Sequence, residues 1–162
     1  MPYRPFTGQQ CSVAAALAVV GERWTLLILR EILLGRTRFE ELRRETGVAT
    51  NILTDRLQTL VDHGLLRREA GGEHVEYRPT RKGADVEPIL GALMRWGDAY
   101  AAPDGPPRVV VHTVCGHDAH PRPHCSHCGE LVTPDTVVAR PGPGATAAMR
   151  AEGPLPAGRL AP

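Results

Sequence analysis

Lysine and long apolar runs are nearly absent from this chain of 162 residues. Lys82 is the only lysine, whereas arginine is abundant. Arginine suits bidentate recognition of phosphates and guanines, but a compositional bias of the genome would produce the same imbalance. No apolar run approaches the roughly 20 residues of a transmembrane helix, and the first ten residues lack the basic and then apolar order of a secretory signal. We therefore expect a cytoplasmic protein with no membrane partner.

Cysteine is also scarce, since the chain has four. In the cytoplasm, cysteines act as thiols or metal ligands rather than as structural disulfides. The net charge of +1 neither favours nor excludes a nucleic-acid partner. The apolar content of 42% is enough to bury one core and leaves residues for a small appendage.

Proline and glycine divide the chain into five segments. These are an N-terminal arm (1–10), a periodic helical domain (11–102), a linker (103–108), a segment rich in cysteine and histidine (109–138) and a tail (139–162). The tail consists largely of proline, glycine and alanine. Burial of so few large side chains would not offset the entropy of ordering it, so we predict that the tail is disordered.

The helical domain begins with a helix whose apolar residues recur from Val13 to Val20 at the spacing of one helix face. Ser12 is predicted as its N-cap and Gly21 as its end. The stretch "ERWTLLILREILLG" is apolar on nearly every side, which predicts a central buried helix. A short helix, "TRFEELRRETG", then ends at Gly47, and "TNILTDRLQTLVDHG" follows after two residues. This succession predicts a helix-turn-helix.

The second of these helices has an apolar and a polar face. The apolar side carries Leu53, Leu57, Leu60 and Val61. The polar side, at i, i+3, i+4 and i+7, carries Asn51, Thr54, Asp55 and Gln58. The polar stripe is suited to face bases in a major groove. An ordinary solvated helix face has the same pattern and is the alternative.

The residues after that helix, "LLRREAGGEHVEYRPT", predict two strands joined by a turn at Gly71 and Gly72. A helix-turn-helix followed by such a β-hairpin is a winged helix. The fold class that we predict is therefore α+β and mainly helical: a winged helix-turn-helix with a small zinc-ribbon-like segment at the C-terminal side.

Two groups of residues are candidates for contacts with DNA. Base or groove contacts are assigned to Thr50, Asn51, Thr54, Asp55 and Gln58. Backbone contacts are assigned to Arg38, Arg56, Arg67, Arg68 and Arg78. Arg56 has a structural alternative, because an arginine in "TDRL" can instead brace the helix pair through a carboxylate.

A last helix, which we expect Thr80 and Arg81 to start, carries an apolar stripe longer than one winged-helix domain needs for its own core. The stripe consists of Ile89, Leu93, Trp96 and Tyr100. A partner surface is its natural use. The alternative is that Trp96 packs on helices of its own chain.

Several motifs occur together in a fixed order: Cys11 at the first helix, "VVGERWTLLILREILLGRTRFEELR", "GVATNILTDRLQTLVDHGLLRR", "EYRPTRKG" and "LMRWGDAY". Over about residues 11 to 100 the chain thereby resembles the HxlR-type branch of the MarR-like winged-helix transcription regulators. The resemblance implies a small bacterial homodimer that binds double-stranded DNA at operators with dyad symmetry. It also implies dimerisation through the first and last helices, with Leu17 on the first. The short wing tip "EAGGEH" departs from the family pattern, and only some members have a cysteine-rich extension.

Cys11 stands next to the predicted N-cap, where the positive end of a helix favours a thiolate. The resemblance implies that a cysteine at this place senses disulfide or electrophile stress, so the inducer would be a small molecule or an electrophile. The alternative is a buried small apolar side chain at a helix start.

The cysteine-rich segment contains two similar halves, His112-x2-Cys115-Gly and Cys125-x2-Cys128-Gly, and residues 109–111 and 131–132 are predicted as flanking strands. The spacing predicts a zinc ribbon in which these four residues hold one structural Zn²⁺. Other histidines are alternatives to His112, namely His117, His120, His124 and His127. A metal-free loop rich in histidine remains the alternative for the whole segment.

Two other classes of function compete with DNA binding. A small metal-dependent hydrolase or a thiol redox enzyme would use "CSHC", but the acidic residues near it are limited to Asp118 and Glu130, and the chain lacks the βαβ pattern around a redox motif. We therefore expect no enzyme. The other rival is a dimeric interaction module that does not bind DNA.

Overall fold

The structure is a computed structural model that describes residues 10–72, 74–119 and 121–155. In chain order its elements are α1 (Ser12–Val20), α2 (Thr25–Leu33), α3 (Phe39–Thr46), α4 (Thr50–Asp62), β1 (Leu66–Gly71), β2 (His74–Pro79), α5 (Arg81–Ala84), α6 (Glu87–Tyr100), β3 (Val111–His112), β4 (His117–Asp118), a 3₁₀ turn (Pro134–Thr136) and α7 (Ala147–Glu152). The chain divides into two compact units, and the first ends at Gly97. This boundary falls inside α6, five residues before the predicted end of the helical domain.

The core of the first unit is built from leucine and isoleucine on α2, α3 and α4. Its fully buried side chains include Ile28, Leu29, Leu42, Leu53, Leu57 and Leu60. Removing a buried leucine side chain from such a core costs about 2 to 5 kcal/mol. The prediction of a central buried α2 and of an inward apolar face on α4 is confirmed.

The helix-turn-helix consists of α3, a tight turn and α4. Gly47 ends α3 with φ of 68°, a left-handed conformation that glycine adopts without strain. Val48 in the turn is buried, and the carbonyl of Ala49 accepts the first hydrogen bond of α4 from Leu53. The turn thus fixes α4 against the core through apolar contacts as well as through the backbone.

The wing is the antiparallel pair β1–β2, in which Leu66 pairs with Pro79 and Arg67 with Arg78. A third segment joins it, because Arg38 forms an isolated bridge with Glu76. The start of α3 and the wing therefore belong to one small sheet. This arrangement confirms the predicted winged helix and the predicted α+β, mainly helical class.

The predicted N-cap of α1 is wrong by one residue. The carbonyl of Cys11 accepts a hydrogen bond from the N–H of Ala15 at 3.0 Å, so Cys11 is the N-cap and Ser12 is the first helical residue. The Cys11 side chain makes no capping hydrogen bond with the first turn of α1. Gly21 follows the last helical residue, as predicted.

The predicted last helix is interrupted. Thr80 caps only the short α5, whose N-terminal turn is closed by the Gly83 N–H bonding to the Thr80 hydroxyl, and α6 begins separately at Glu87. A continuous helix would need an N–H at position 88 to bond to the carbonyl of Ala84, and Pro88 has none. Proline is tolerated in the first turn of α6, where N–H groups lack helical partners in any case.

The second unit contains two small hairpins and a C-terminal helix. The strand predicted at residues 109–111 is displaced to Val111–His112, and Leu131 forms a single bridge with His124 rather than a strand. The prediction of a disordered tail is wrong for residues 139–155. There α7 forms with Thr146 as its N-cap, and Ala139 bridges Leu155, so local hydrogen bonds order a segment that lacks large apolar side chains. Residues 156–162 lie outside the described part.

In the described residues, no single helix is long and apolar enough to span a membrane. Helices α1 and α2 reach that length and composition only as a pair bent by 77°.

Candidate DNA-binding surface

The polar stripe of α4 is open to solvent. Thr50, Asn51, Thr54 and Asp55 are exposed, while the leucines of the opposite face are fully buried. The Thr54 hydroxyl donates to the carbonyl of Thr50 at 2.9 Å, and its oxygen can still accept a hydrogen bond. Side chains of these types read base edges in a major groove.

Gln58, assigned to base contacts from the sequence, joins the helix to the wing. Its amide nitrogen donates to Asp62 at 2.5 Å, and its carbonyl oxygen accepts from the Arg68 guanidinium at 2.5 Å. Both ends of the amide are engaged within the protein. Gln58 therefore positions Arg68 beside the helix, and only its second N–H and the second lone pair of its oxygen remain for a base.

Arg56 turns toward the protein rather than toward solvent. Its side chain is 28% exposed, and Nε lies 4.0 Å from Oε2 of Glu22. Nε is buried and makes no hydrogen bond within the part of the chain that the structure describes. The geometry favours the alternative that Arg56 braces α4 against the start of α2, and it does not support the assignment to a DNA phosphate.

The wing carries a charged face in which two arginines oppose each other. Arg67 and Arg78 are cross-strand partners, and like charges at such positions repel. Glu69 offsets the repulsion, because its carboxylate accepts from Arg67 Nε at 2.6 Å and from Arg78 Nε at 2.9 Å. Both arginine side chains remain about half exposed, at 56% and 47%. The carboxylate thus holds two guanidinium groups at the surface, where phosphates can reach them.

Arg38 begins the helix-turn-helix and is exposed. Its backbone N–H donates to Glu41 at 3.1 Å, and its guanidinium lies 3.7 Å from the carboxylate of Glu76 on the wing. Half of its side chain is open to solvent. The sequence-based assignment of Arg38 to the DNA backbone is compatible with this position.

A cluster that the sequence reasoning missed fixes the end of α4 relative to the wing. The Thr80 hydroxyl donates to the carbonyl of Gly64 at 2.7 Å, and Lys82 Nζ donates to the carbonyl of His63 at 2.7 Å. Gly83 packs so closely that a Cβ there would lie 2.1 Å from the Leu65 carbonyl oxygen. The motif "TRKG" was visible in the sequence, but its role depends on contacts with residues 16 to 19 positions earlier.

A second missed feature lies beneath the helix-turn-helix. Glu31 is buried on α2, with 5% of its side chain exposed, and its carboxylate pairs with Arg30 at 2.5 Å and with Arg36 at 2.9 Å. Arg36 also lies 3.7 Å from Glu45 on α3. A charge inside an apolar helix was the available signal, because buried carboxylates require partners.

The residues assigned to a dimer interface carry large exposed apolar side chains. Helix α6 has no buried residue. The exposed fractions are 40% for Leu17, 45% for Ile89, 49% for Leu93, 61% for Trp96 and 77% for Tyr100. Trp96 is only partly covered by its own chain, and the assignment of this stripe to a partner surface stays a prediction.

Cys11 is exposed at the N-cap of α1, and its sulfur is a free thiol. Within the described residues of one chain the Cys11 side chain is not buried, and its role as a sensor stays a prediction. An exposed thiol at a helix N-terminus is open to oxidants and electrophiles.

The four predicted zinc ligands lie in two pairs. His112 Nδ1 lies 3.2 Å from Cys115 Sγ. The pKa of Cys125 is lowered by hydrogen bonds from the backbone N–H groups of Cys128 and His127 and by the Cys128 side chain. Among the described residues, no three His, Cys, Asp or Glu side chains form a group that could hold a metal ion. His120, one of the alternative ligands, lies outside the described residues.

Comparison with known proteins shows the family of this chain. The family model for HxlR-like helix-turn-helix proteins matches residues 19–105. Rv3095 of Mycobacterium tuberculosis, described as an uncharacterized HTH-type transcriptional regulator, is 47% identical over 137 residues, which cover 82% of this chain and 87% of the relative. The crystal structure of PA1607, a candidate transcription factor, matches with a TM-score of 0.72 at 36% identity and covers 83% of this chain and 97% of its own. The redox regulator HypR in its oxidized form matches with a TM-score of 0.51 at 31% identity, over 55% of this chain and 96% of its own. The chain belongs to the HxlR-like helix-turn-helix family of DNA-binding transcription regulators.

Proposed function

We propose that this regulator binds operators of dyad symmetry as a homodimer, with α4 in the major groove and the wing against the adjacent backbone. The observation that carries the proposal is the hydrogen bond between Gln58 and Arg68, which joins the exposed polar stripe of α4 to the wing. Asn51, Thr54 and Asp55 supply donors and acceptors for base edges. The wing supplies guanidinium groups for phosphates.

We assign the exposed apolar face of α6 to contact with the second chain of the homodimer. A soluble monomer rarely exposes several large apolar side chains on one helix, and Leu93 and Trp96 are about half exposed or more. A twofold dimer places two recognition helices one DNA turn apart, about 34 Å, and so explains why an operator for such a protein would be symmetric. The α1 residues Val13 and Leu17, also exposed, extend the apolar surface available to the partner.

Binding of the purified protein to DNA from its own promoter region, measured by mobility shift against a scrambled duplex, tests the proposal. We expect a complex with the stoichiometry of two chains per duplex and a strong decrease in affinity with salt. A protein that is dimeric in sedimentation but retards neither duplex would instead be an interaction module. A symmetric footprint that is unaffected by substitution of α4 would place the contact elsewhere.

We further propose that the regulator acts in the cytoplasm and responds to oxidants or electrophiles through Cys11. The thiol is exposed at the N-cap of α1, the helix that also presents Leu17 to the proposed partner. A covalent change at Cys11 would therefore alter the dimer surface and, through it, the spacing of the two recognition helices. The likeness to HypR, which is named as a redox regulator, supports this assignment.

A further inference from the structure

The two halves of the cysteine-rich segment have the same backbone fold. In the first half, the Gly116 N–H donates to the carbonyl of His112 at 2.7 Å. In the second half, the Gly129 N–H donates to the carbonyl of Cys125 at 2.8 Å. Both glycines are left-handed, with φ of 72° and 79°. Each turn therefore brings two candidate ligands close together, His112 and Cys115 in the first half and Cys125 and Cys128 in the second.

The likeness extends outward along both hairpins. In the first hairpin the Ala119 N–H donates to the carbonyl of Val110 at 2.7 Å, and in the second the Val132 N–H donates to the carbonyl of Pro123 at 2.9 Å. In both hairpins the acceptor lies two residues before the first candidate ligand, and the donor lies four residues after the second. The second hairpin thus repeats the first in register, displaced along the chain. Two copies of one turn that each present a pair of donors are suited to share a tetrahedral ion.

The described residues of the second unit form no apolar core that would hold these hairpins in place. None of the described residues after Val86 is buried, and valines beside the first hairpin, such as Val111 and Val114, are 50% and 86% exposed. The four cysteines are free thiols, so disulfides do not replace the core. Segments of this size without a core are commonly held by a metal ion.

Three of the candidate histidines differ in what Nδ1 contacts. His117 Nδ1 lies 2.8 Å from the carbonyl of Cys115, and His124 Nδ1 lies 2.9 Å from the carbonyl of Gly129, so in both rings only Nε2 is available to a metal ion. His112 Nδ1 instead faces the Cys115 sulfur at 3.2 Å. Two ligands bound to one tetrahedral zinc at about 2.05 and 2.3 Å lie about 3.6 Å apart, so this pair is close to the spacing that zinc requires.

We propose that His112, Cys115, Cys125 and Cys128 bind one Zn²⁺ that joins the two hairpins into a zinc ribbon. His112 binds through Nδ1, and three thiolates complete a closed tetrahedron, which leaves no position for water. The site is therefore structural. In the described residues no three such side chains form a group that could hold a metal ion. Binding therefore draws the His112–Cys115 pair and the Cys125–Cys128 pair together. The cysteine thiols lose their protons to solvent as the zinc–sulfur bonds form.

Metal content of the full-length protein tests the proposal. The chain is treated with a chelator, exposed to Zn²⁺ alone, desalted and measured by mass spectrometry; we expect one zinc per chain. Replacement of zinc with Co²⁺ should give the intense visible bands of a tetrahedral site and sulfur-to-cobalt charge transfer. His112→Ala and Cys128→Ser should reduce retained zinc at least tenfold. His117→Ala, the cross-strand neighbour of His112, is the matched control and should retain a full equivalent.

Hydrogen exchange supplies a second readout. On removal of zinc, the amides of Gly116 and Gly129 should lose protection, while those of α4 should not change. Absence of stoichiometric zinc in the reconstituted wild type, or an octahedral cobalt spectrum, overturns the proposal. Full zinc retention by His112→Ala overturns the ligand assignment. If a cysteine variant does not fold, the spectrum and zinc content of the wild type decide alone.

Discussion

The guanidinium of Arg68 on the wing donates to the side-chain carbonyl of Gln58 on the recognition helix, with 2.5 Å between Nη2 and Oε1. The same arginine lies over the ring of Tyr77, with Cζ 5.8 Å from the centroid. The wing and the helix are therefore oriented as one surface before DNA arrives. Such preorganisation reduces the entropy lost when side chains are ordered at an interface.

A double-mutant cycle on operator binding tests this coupling. If Gln58 positions Arg68, the losses of affinity from Gln58→Ala and Arg68→Ala should be less than additive, with a coupling energy of about 0.5 to 1 kcal/mol. Arg67→Ala is the control, because Arg67 lies on the opposite face of β1; combined with Gln58→Ala it should be additive. Additive losses in both cycles would show that the hydrogen bond has no role in the complex.

Arg67→Ala alone should weaken binding to all DNA sequences alike and reduce the salt dependence of that binding.

Thr54→Ala should reduce operator affinity by about 1 to 3 kcal/mol and leave non-specific affinity nearly unchanged, because Thr54 belongs to the exposed stripe that we propose contacts base edges. Thr59→Ala is a matched control, since the Thr59 hydroxyl donates to Asp55 as the Thr54 hydroxyl donates to Thr50. Fluorescence anisotropy with operator and scrambled duplexes measures both. Equal losses from the two variants would mean that helix stability, rather than base contact, causes the effect.

Glu31→Gln should reduce the free energy of unfolding by about 1 to 3 kcal/mol, because the buried carboxylate loses its charge while Arg30 and Arg36 remain. Glu40→Gln removes the exposed pair with Arg43 and should change stability by less than about 1 kcal/mol. Urea unfolding followed by circular dichroism compares the two. A Glu31 variant as stable as the Glu40 variant would contradict the importance of the buried network.

Trp96→Ala should shift the dimer toward monomer in sedimentation velocity, since more than half of this large side chain is exposed on the proposed interface. Operator affinity should decrease indirectly and more strongly at low protein concentration. Leu34→Ala, at an exposed leucine outside α6, should leave the association unchanged. A dimer of undiminished stability in Trp96→Ala would remove this face of α6 from the interface.

Cys11→Ser should abolish the response of operator binding to mild oxidant or quinone. In the wild type we expect a change of affinity that a thiol reductant reverses, as expected for a disulfide or sulfenic acid. Zinc release is measured in parallel, because oxidation of the ribbon cysteines would produce a competing signal. An identical response of the wild type and Cys11→Ser, or one that follows zinc release, would place the sensor outside α1.

The helix-turn-helix could be predicted from the sequence because its signals are local. Gly47 marks the turn, and the leucine spacing of α4 separates its two faces, so the buried Leu53 and the exposed Thr54 were both assigned correctly. The break before α6 was also a local signal, since Pro88 cannot donate a helical hydrogen bond, and it was overlooked because the apolar stripe continues beyond it.

The roles of Gln58 and Arg56 could not be predicted in this way. Both occupy helix positions compatible with DNA contact, and only the distances to Arg68 and Glu22 show that each side chain is engaged by another element. Periodicity identifies the side of a helix on which a residue lies, but it does not give the direction of a long side chain. The order of α7 was missed because composition does not register local caps such as that of Thr146.

The absence of buried residues after Val86, in the part of the chain that the structure describes, has a calorimetric consequence. The heat capacity increment of unfolding arises from apolar surface that becomes hydrated, at about 12 to 15 cal/mol/K per residue of an ordinary domain. A second unit that buries so little surface adds little to it. A chain of 162 residues would then have the increment of a domain of about 100 residues, roughly 1.2 to 1.5 kcal/mol/K. Its stability would vary less with temperature than its length suggests.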